Sequence, residues 1–272
     1  STATLTGSIN PEGQDTSYFF QYGPTKAYGS QTALADAGAG RSNVRVSLAI
    51  SGLQPITRYH YRLIAVNAAG AKTAGDGFFT TTKVPLSLAI ITAPNPVSYG
   101  GNVLVQGTLS GTGNGGVGVV LQASPFPYLQ GFVNVGNPQL TNASGGFSLP
   151  VLGLTTTTHF RIATLTNNPV LSPVVIQYVA VTVSSHVGRT ARHGFVRIFG
   201  TVTPAENGAH LAILKIAHGH GVLVAGAVLR YRSPSTSKFS RVVHVTRGVY
   251  RVLVVITSGA QASSYGQPLL IR

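Results

Sequence analysis

Leu53-Gln-Pro-Ile-Thr-Arg-Tyr-His-Tyr-Arg-Leu-Ile-Ala-Val-Asn-Ala-Ala-Gly70 reads as a turn, a strand and a second turn. Pro55 presets the first turn and Asn67 to Gly70 supplies the residues of the second. Between them the side chains alternate. Tyr59, Tyr61, Leu63 and Ala65 fall on one face, and His60 and Arg62 on the other. A period of two with one apolar face predicts a strand half-buried against a second sheet.

Two further motifs precede this strand: Leu5-Thr-Gly-Ser-Ile-Asn-Pro-Glu-Gly13, and Phe20-Gln-Tyr-Gly-Pro-Thr-Lys-Ala-Tyr-Gly-Ser-Gln-Thr32 with its Tyr-Gly-x-Thr-x-x-Tyr-Gly pattern around Tyr22 and Tyr28. A tyrosine that opens a strand just after Leu53-x-Pro55, as Tyr59 does, resembles the tyrosine corner of immunoglobulin-like sandwiches. Together the three motifs resemble the fibronectin type III-like repeats of secreted bacterial proteins, over the first third of the chain. The resemblance implies a β-sandwich with Tyr22, Tyr28, Leu53, Pro55 and Tyr59 as its hallmark residues. It implies little about function, because such sandwiches carry many.

The remaining sequence continues the β pattern. Pro85 opens a second unit with strands expected at 103–108, 117–122, 147–151, 159–164 and 174–178, separated by Gly and Asn-Gly turns. A third unit is expected from Val179, with strands at 179–183, 195–202, 209–217, 222–232, 240–245, 250–256 and 269–272. Val103-Leu-Val-Gln-Gly-Thr-Leu109 parallels Val196-Arg-Ile-Phe-Gly-Thr-Val202, a weak internal repeat that resembles bacterial immunoglobulin-like domains. No segment has helical periodicity. The fold class expected is all-β: three tandem immunoglobulin/fibronectin type III-like β-sandwiches over residues 1–84, 85–178 and 179–272.

Only 9% of the 272 residues are charged, against about 25% in ordinary soluble domains. A surface so poor in charge is weakly protected against association, which fits either a face covered in a homopolymer or a neutral secreted surface. The net charge of +14 is unevenly placed. The second unit has a single charge, Arg161, whereas the third has Glu206 as its one acid among many bases. With no Met and no apolar leader, the sequence suggests secretion after removal of a signal peptide, and no stretch is apolar for the length of a membrane helix. The absence of Cys excludes disulfides and thiolate metal sites.

Chemistry-bearing patterns are few. Gly111-x-Gly113-x-x-Gly116 has dinucleotide spacing, but the segment after it reads as a strand, so no helix N-terminus exists to receive a pyrophosphate, and it is read as a loop. His218-Gly-His220 would put two imidazoles on one strand face with His210 near in sequence, yet lacks further zinc ligands and is read as a turn. Five carboxylates, Glu12, Asp15, Asp36, Asp76 and Glu206, form no pair for acid–base work. No cofactor is implied, and an enzyme is not expected. Asn142-Ala-Ser144 is a glycosylation sequon. Arg230, Arg232, Lys238, Arg241, Arg247 and Arg251 are candidates for a face that binds polyanions, which Arg189, Arg192 and Arg197 could join. Tyr231 falls out of phase with Arg230 and Arg232 and is expected in the core, which argues against specific nucleic-acid recognition by stacking.

The beginning of the sequence alternates without a break. Ala3, Leu5, Gly7 and Ile9 face one way; Thr2, Thr4, Thr6 and Ser8 face the other. In the fibronectin type III-like repeats that this region resembles, the corresponding segment is the second strand. Either the first sandwich lacks an edge strand, or this strand completes another subunit, or it is an ordinary strand of its own domain. The first two readings resemble donor-strand assembly of bacterial pili. The expectation is thus a structural subunit of an extracellular bacterial filament, assembled with copies of itself by strand donation through Ala3, Leu5, Gly7 and Ile9. The alternative is a monomeric cell-surface module that binds glycans or anionic wall polymers.

Overall fold

The computed structural model describes residues 1–272 and contains no helix. The chain forms two compact units, Ser1–Leu86 and Ser87–Arg272. The first is one sandwich. Its strands are β1 (Ala3–Ile9), β2 (Thr16–Gly23), β3 (Ser30–Gln31), β4 (Ala35–Gly38), β5 (Val44–Ile50), β6 (Arg58–Asn67), β7 (Gly70–Thr73) and β8 (Gly77–Thr80). One sheet is the pair β1-β5. The other runs β3-β2-β6-β7, with β4 also on β2 and β8 also on β6. The inward residues of both sheets, Leu5, Ile9, Phe20, Val46, Ile50, Tyr59 and Leu63, close a single core.

Two of the sequence motifs acquire a physical reason here. The hydroxyl of Tyr59 accepts the backbone N–H of Gln54 at 3.1 Å, which fixes the turn before β6 to the strand it opens. In the Tyr-Gly pattern, a Cβ on Gly23 would lie 1.4 Å from the Tyr28 carbonyl oxygen, so only glycine lets the loop close back on β2. Tyr28 itself sits at φ 64, and its hydroxyl donates to Asp76 at 3.1 Å.

The second unit begins with β9 (Ser87–Ala93), β10 (Val97–Ser98), β11 (Gly101–Ser110), β12 (Gly118–Pro125), β13 (Val133–Leu140), β14 (Gly146–Leu154), β15 (Thr158–Thr164), β16 (Val175–Gln177) and β17 (Val179–Ala180). These form sheets β14-β11-β9 and β13-β12-β15-β16, plus a parallel pair β10-β17. Besides the two-residue β10, two strands escaped the sequence reading. The apolar run Leu88-Ala-Ile-Ile91 in β9 hides its alternation, and β13 carries Gly136 and Pro138. Proline is tolerated there because β13 is an edge strand, paired only with β12. The Gly111–Gly116 segment joins two strands, as a loop does.

The last sandwich comprises β18 (Thr182–Arg189), β19 (Phe195–Thr203), β20 (His210–Ala217), β21 (His220–Val228), β22 (Arg230–Ser233), β23 (Thr236–His244), β24 (Gly248–Val255), β25 (Ser264–Tyr265) and β26 (Leu269–Ile271). Its sheets are β18-β19-β23-β22 and β21-β20-β24-β25, with β26 also on β24. Three expectations are corrected. The strand expected over 179–183 is divided: Val179 and Ala180 pair with Val97 and Ser98 of the preceding sandwich, and the new strand starts at Thr182. The strand expected over 222–232 is two strands in opposite sheets, and Leu229, 2% exposed, is buried at the crossing. Tyr231 is 60% exposed and not in the core; β22 is a four-residue edge strand, paired only with β23.

Candidate functional site

One pattern recurs in all three sandwiches: an apolar residue, any residue, Gly, Ser or Thr, and again an apolar residue. It reads Leu5-Thr-Gly-Ser-Ile9 in β1, Val105-Gln-Gly-Thr-Leu109 in β11 and Ile198-Phe-Gly-Thr-Val202 in β19. All six flanking apolar residues are buried. Each glycine faces a buried apolar residue of the next strand: Gly7 opposite Val46, Gly107 opposite Phe147, Gly200 opposite Phe239. The three strands therefore hold equivalent places. The sequence reading found the repeat in the second and third units only; the period of two around the glycine was the signal that would have found the first.

The equivalence exposes a difference. Strand β11 is flanked on both sides, by β14 and β9, and β19 likewise by β23 and β18. Within residues 1–272, β1 has β5 alone. Beside β11 and β19 the glycine makes room for the flanking strand. A Cβ on Gly107 would lie 2.5 Å from the Ala89 carbonyl oxygen, and one on Gly200 would lie 1.9 Å from that of Ser184. The atoms nearest to a Cβ on Gly7 belong to the Leu63 side chain, the first at 2.6 Å, and not to the backbone of a flanking strand.

The unflanked side of β1 carries a regular row of backbone groups. Ser1 exchanges both its backbone bonds with Leu53, at 2.9 and 3.0 Å. Because ladder partners alternate along an antiparallel strand, the odd-numbered residues of β1 face β5. Thr4, Thr6 and Ser8 thus turn their N–H and C=O groups away from it. The four residues expected in the assembly strand lie on the inner face: Leu5 and Ile9 are buried, and Ala3 and Gly7 are half-buried. Removing Leu5 and Ile9 from this core would cost about 3–6 kcal/mol in lost apolar burial. The energetics favour β1 staying in its own sandwich over leaving it.

The six candidate basic residues do not form one face. Arg230, Arg232 and Lys238 stand on the outer side of the β18-β19-β23-β22 sheet, Arg230 directly opposite Lys238. Arg241 follows the opposite side-chain parity of β23 from Lys238. Arg247 lies in the turn before β24. Arg251 belongs to the other sheet, where it caps Gly266 O at 3.2 Å and covers the Tyr265 ring. Arg197, which the sequence offers among the bases that could join this face, does join the first three; His186 and Phe199, which no sequence signal placed there, join them too. Cross-strand register brings them there: Phe199 is opposite both His186 and Ser240.

Other candidates acquire no chemistry. His218, at φ 50, and Gly219 make the turn between β20 and β21, so the two imidazoles do not share a strand face. No group of three His, Asp or Glu residues could hold a metal ion. Asn142 is exposed, and its Oδ1 accepts the N–H groups of Ser144 and Gly146 at 3.0 and 2.8 Å, which fixes the sequon loop. Asp76 accepts from Tyr28 and lies 2.8 Å from His60 Nδ1. The hydrogen bond to His60 is the main cause that holds its carboxyl below the ordinary range. Burial raises the carboxyl of Glu206, which has no basic partner. No helix exists that could cross a membrane.

No protein-family description matches the chain, and no curated protein matches it in sequence. Among solved structures, it is similar to trypsin-activated alpha-2-macroglobulin from Escherichia coli at 12% identity and TM-score 0.30, covering 97% of this chain and 22% of that one. The chain thus spans about a fifth of that protein's length. Domains A168–A170 of titin align at 15% identity and TM-score 0.42, covering 99% of this chain and 93% of that one. A tetra-tandem repeat from the extending region of a large adhesion protein aligns at 15% identity and TM-score 0.32, covering 98% and 70%. The all-β sandwich class rests on the strand pairing described above.

Proposed function

We propose that the chain is a structural module of an extracellular surface fibre, and that its first sandwich is joined to a neighbouring chain by a strand laid along the unflanked side of β1. One observation carries this reading. The equivalent strands β11 and β19 are flanked on both sides, and β1 on one. A row of outward N–H and C=O groups, with threonines beside it, is a template for strand addition. Strand β1 carries no charged side chain to guard its open edge.

The test is the variant Thr6→Pro. It deletes an N–H that the β1-β5 ladder does not use, at an edge position that tolerates proline. We expect elongated assemblies of the wild-type chain in electron micrographs, at least tenfold fewer of them with Thr6→Pro, and little change in melting temperature. A peptide with the sequence of Ser87–Ala93, which flanks β11 in the same way, should cap the assemblies. A wild-type chain that stays monomeric at high concentration and ignores the peptide would overturn the reading. A monomeric chain that binds the peptide would place the missing strand in a covalently preceding segment instead, which equally overturns assembly between chains.

A further inference from the structure

A shallow hollow of about 520 Å³ lies on the outer face of the β18-β19-β23-β22 sheet. Three permanent cations, Arg197, Arg232 and Lys238, line it together with His186. All four side chains are exposed. Ion pairs occur only around Asp76 in the first sandwich, so none of these cations is neutralised. The only acid of the third sandwich, Glu206, is not among the lining residues. Ser184, Thr201 and Ser240 supply hydroxyls between the cations.

The layout is elongated. Row by row across the sheet, Arg230, Lys238, Thr201 and Ser184 are neighbours. Arg197 lies four residues along β19 from Thr201, and Arg232 two residues beyond Arg230 on the far side. At about 3.3 Å per residue the cations span roughly 20 Å. That is too long for one small anion and suits a linear chain with repeated charges. The aromatic ring at the centre is already covered: Arg197 stands 4.6 Å over Phe199, and the His186 ring lies 5.7 Å from it. Tyr231 is exposed on β22 but follows the opposite parity to Arg230 and Arg232. No free ring is interleaved with the charges for a base to stack upon, which disfavours single-stranded nucleic acid. Hydroxyls and guanidinium forks suit sugar hydroxyls and acidic groups.

The second sandwich supplies an internal comparison. A hollow in the equivalent position, around Gly107 and Phe147, is lined by Gln106, Thr108, Gln139 and Ser148, with no charged residue. The same fold element therefore exists in a neutral and a cationic version, and the charge is not a requirement of the sandwich.

We propose that the outer face of the β18-β19-β23-β22 sheet binds a linear anionic polysaccharide, through Arg197, Arg230, Arg232 and Lys238. The inference is independent of strand addition at β1. The experiment uses the full chain, at protein concentrations where it is dispersed, with four fluorescent probes: heparin, polygalacturonate, neutral dextran and single-stranded DNA. Anisotropy is read from 50 to 300 mM salt.

We expect binding to the two anionic polysaccharides, none to dextran, and weaker binding to DNA. The logarithm of the affinity should fall with the logarithm of salt, each neutralised cation contributing a slope of about 1. Arg197→Gln with Lys238→Gln should lower affinity at least tenfold and flatten the slope by about 2. Arg251→Gln, on the opposite sheet, should change neither. Far-ultraviolet circular dichroism and melting curves confirm that the variants fold, as expected for the exposed Arg197 and Lys238 and the half-buried Arg251. An Arg251→Gln effect equal to that of Arg197→Gln would reduce the binding to unlocalised charge and overturn the site. Preference for DNA would overturn the polysaccharide as occupant, and so would equal binding of dextran or no binding at 50 mM salt.

Discussion

Tyr59 and Asp76 tie loops to the same strand by different means, and their substitution should read differently. Tyr59→Phe keeps the buried ring and removes one acceptor, leaving the Gln54 N–H without its partner. A loss of about 1 kcal/mol is expected, measured by denaturant unfolding, with no dependence on pH near neutrality. Asp76→Asn should depend on pH. Its carboxyl is held below the ordinary range by His60, so the stabilisation it brings is present above the unfolded value and lost as pH falls through the folded one. The melting temperatures of wild type and Asp76→Asn should differ at about pH 5 and converge as the pH falls below about 4. A gap as wide at pH 2 as at pH 7 would remove Asp76 from the interactions that stabilise the loop. The legible residues were those with a local reason. Leu53, Pro55 and Tyr59 lie within one turn and its strand, whereas Gly23 is explained only by Tyr28, across a closed loop.

Strands were legible where one face is buried and the other wet. Strand β6 and strand β1 alternate and were read from sequence. Strand β9 was hidden by consecutive apolar residues, and β13 by a glycine and a proline that an edge position permits. The crossing at Leu229 could not be read because a residue buried between two sheets looks the same as one inside a strand. The basic face shows the same limit. Arg230 and Arg232 share a strand and were grouped from sequence, but Arg197 and His186 reach them through pairing with distant strands, and Arg251 was assigned to them only because it is also basic. At this scale the Thr6→Pro experiment separates a strand's two edges. The substitution spares the ladder to β5 and affects only what lies on the other side.

The whole molecule divides unequally. Residues of the β24–β25 connection reach into the preceding sandwich: Ala260 O accepts the N–H of Thr157 at 2.7 Å, and Ala262 bonds to both Val179 O and the N–H of Val181, at 2.7 and 3.2 Å. Gly259 packs against Phe126. Calorimetry should therefore resolve two transitions, one for residues 1–86 and one for residues 87–272, although sheet pairing shows three sandwiches. Ala262→Pro deletes the donor to Val179 and should split the larger transition; three transitions in the wild-type chain would count against this coupling. The sequence located the sandwiches but not this coupling, since Ala260-Gln-Ala262 carries no motif and acts only through its backbone. That backbone clamp has a mechanical consequence. A pull along the chain between the second and third sandwiches is borne first by the bonds of Ala260 and Ala262, which lie beside the covalent link from Val179 to Thr182 and shield it. The joint is splinted, and such a module transmits tension between these two sandwiches without first lengthening at the seam.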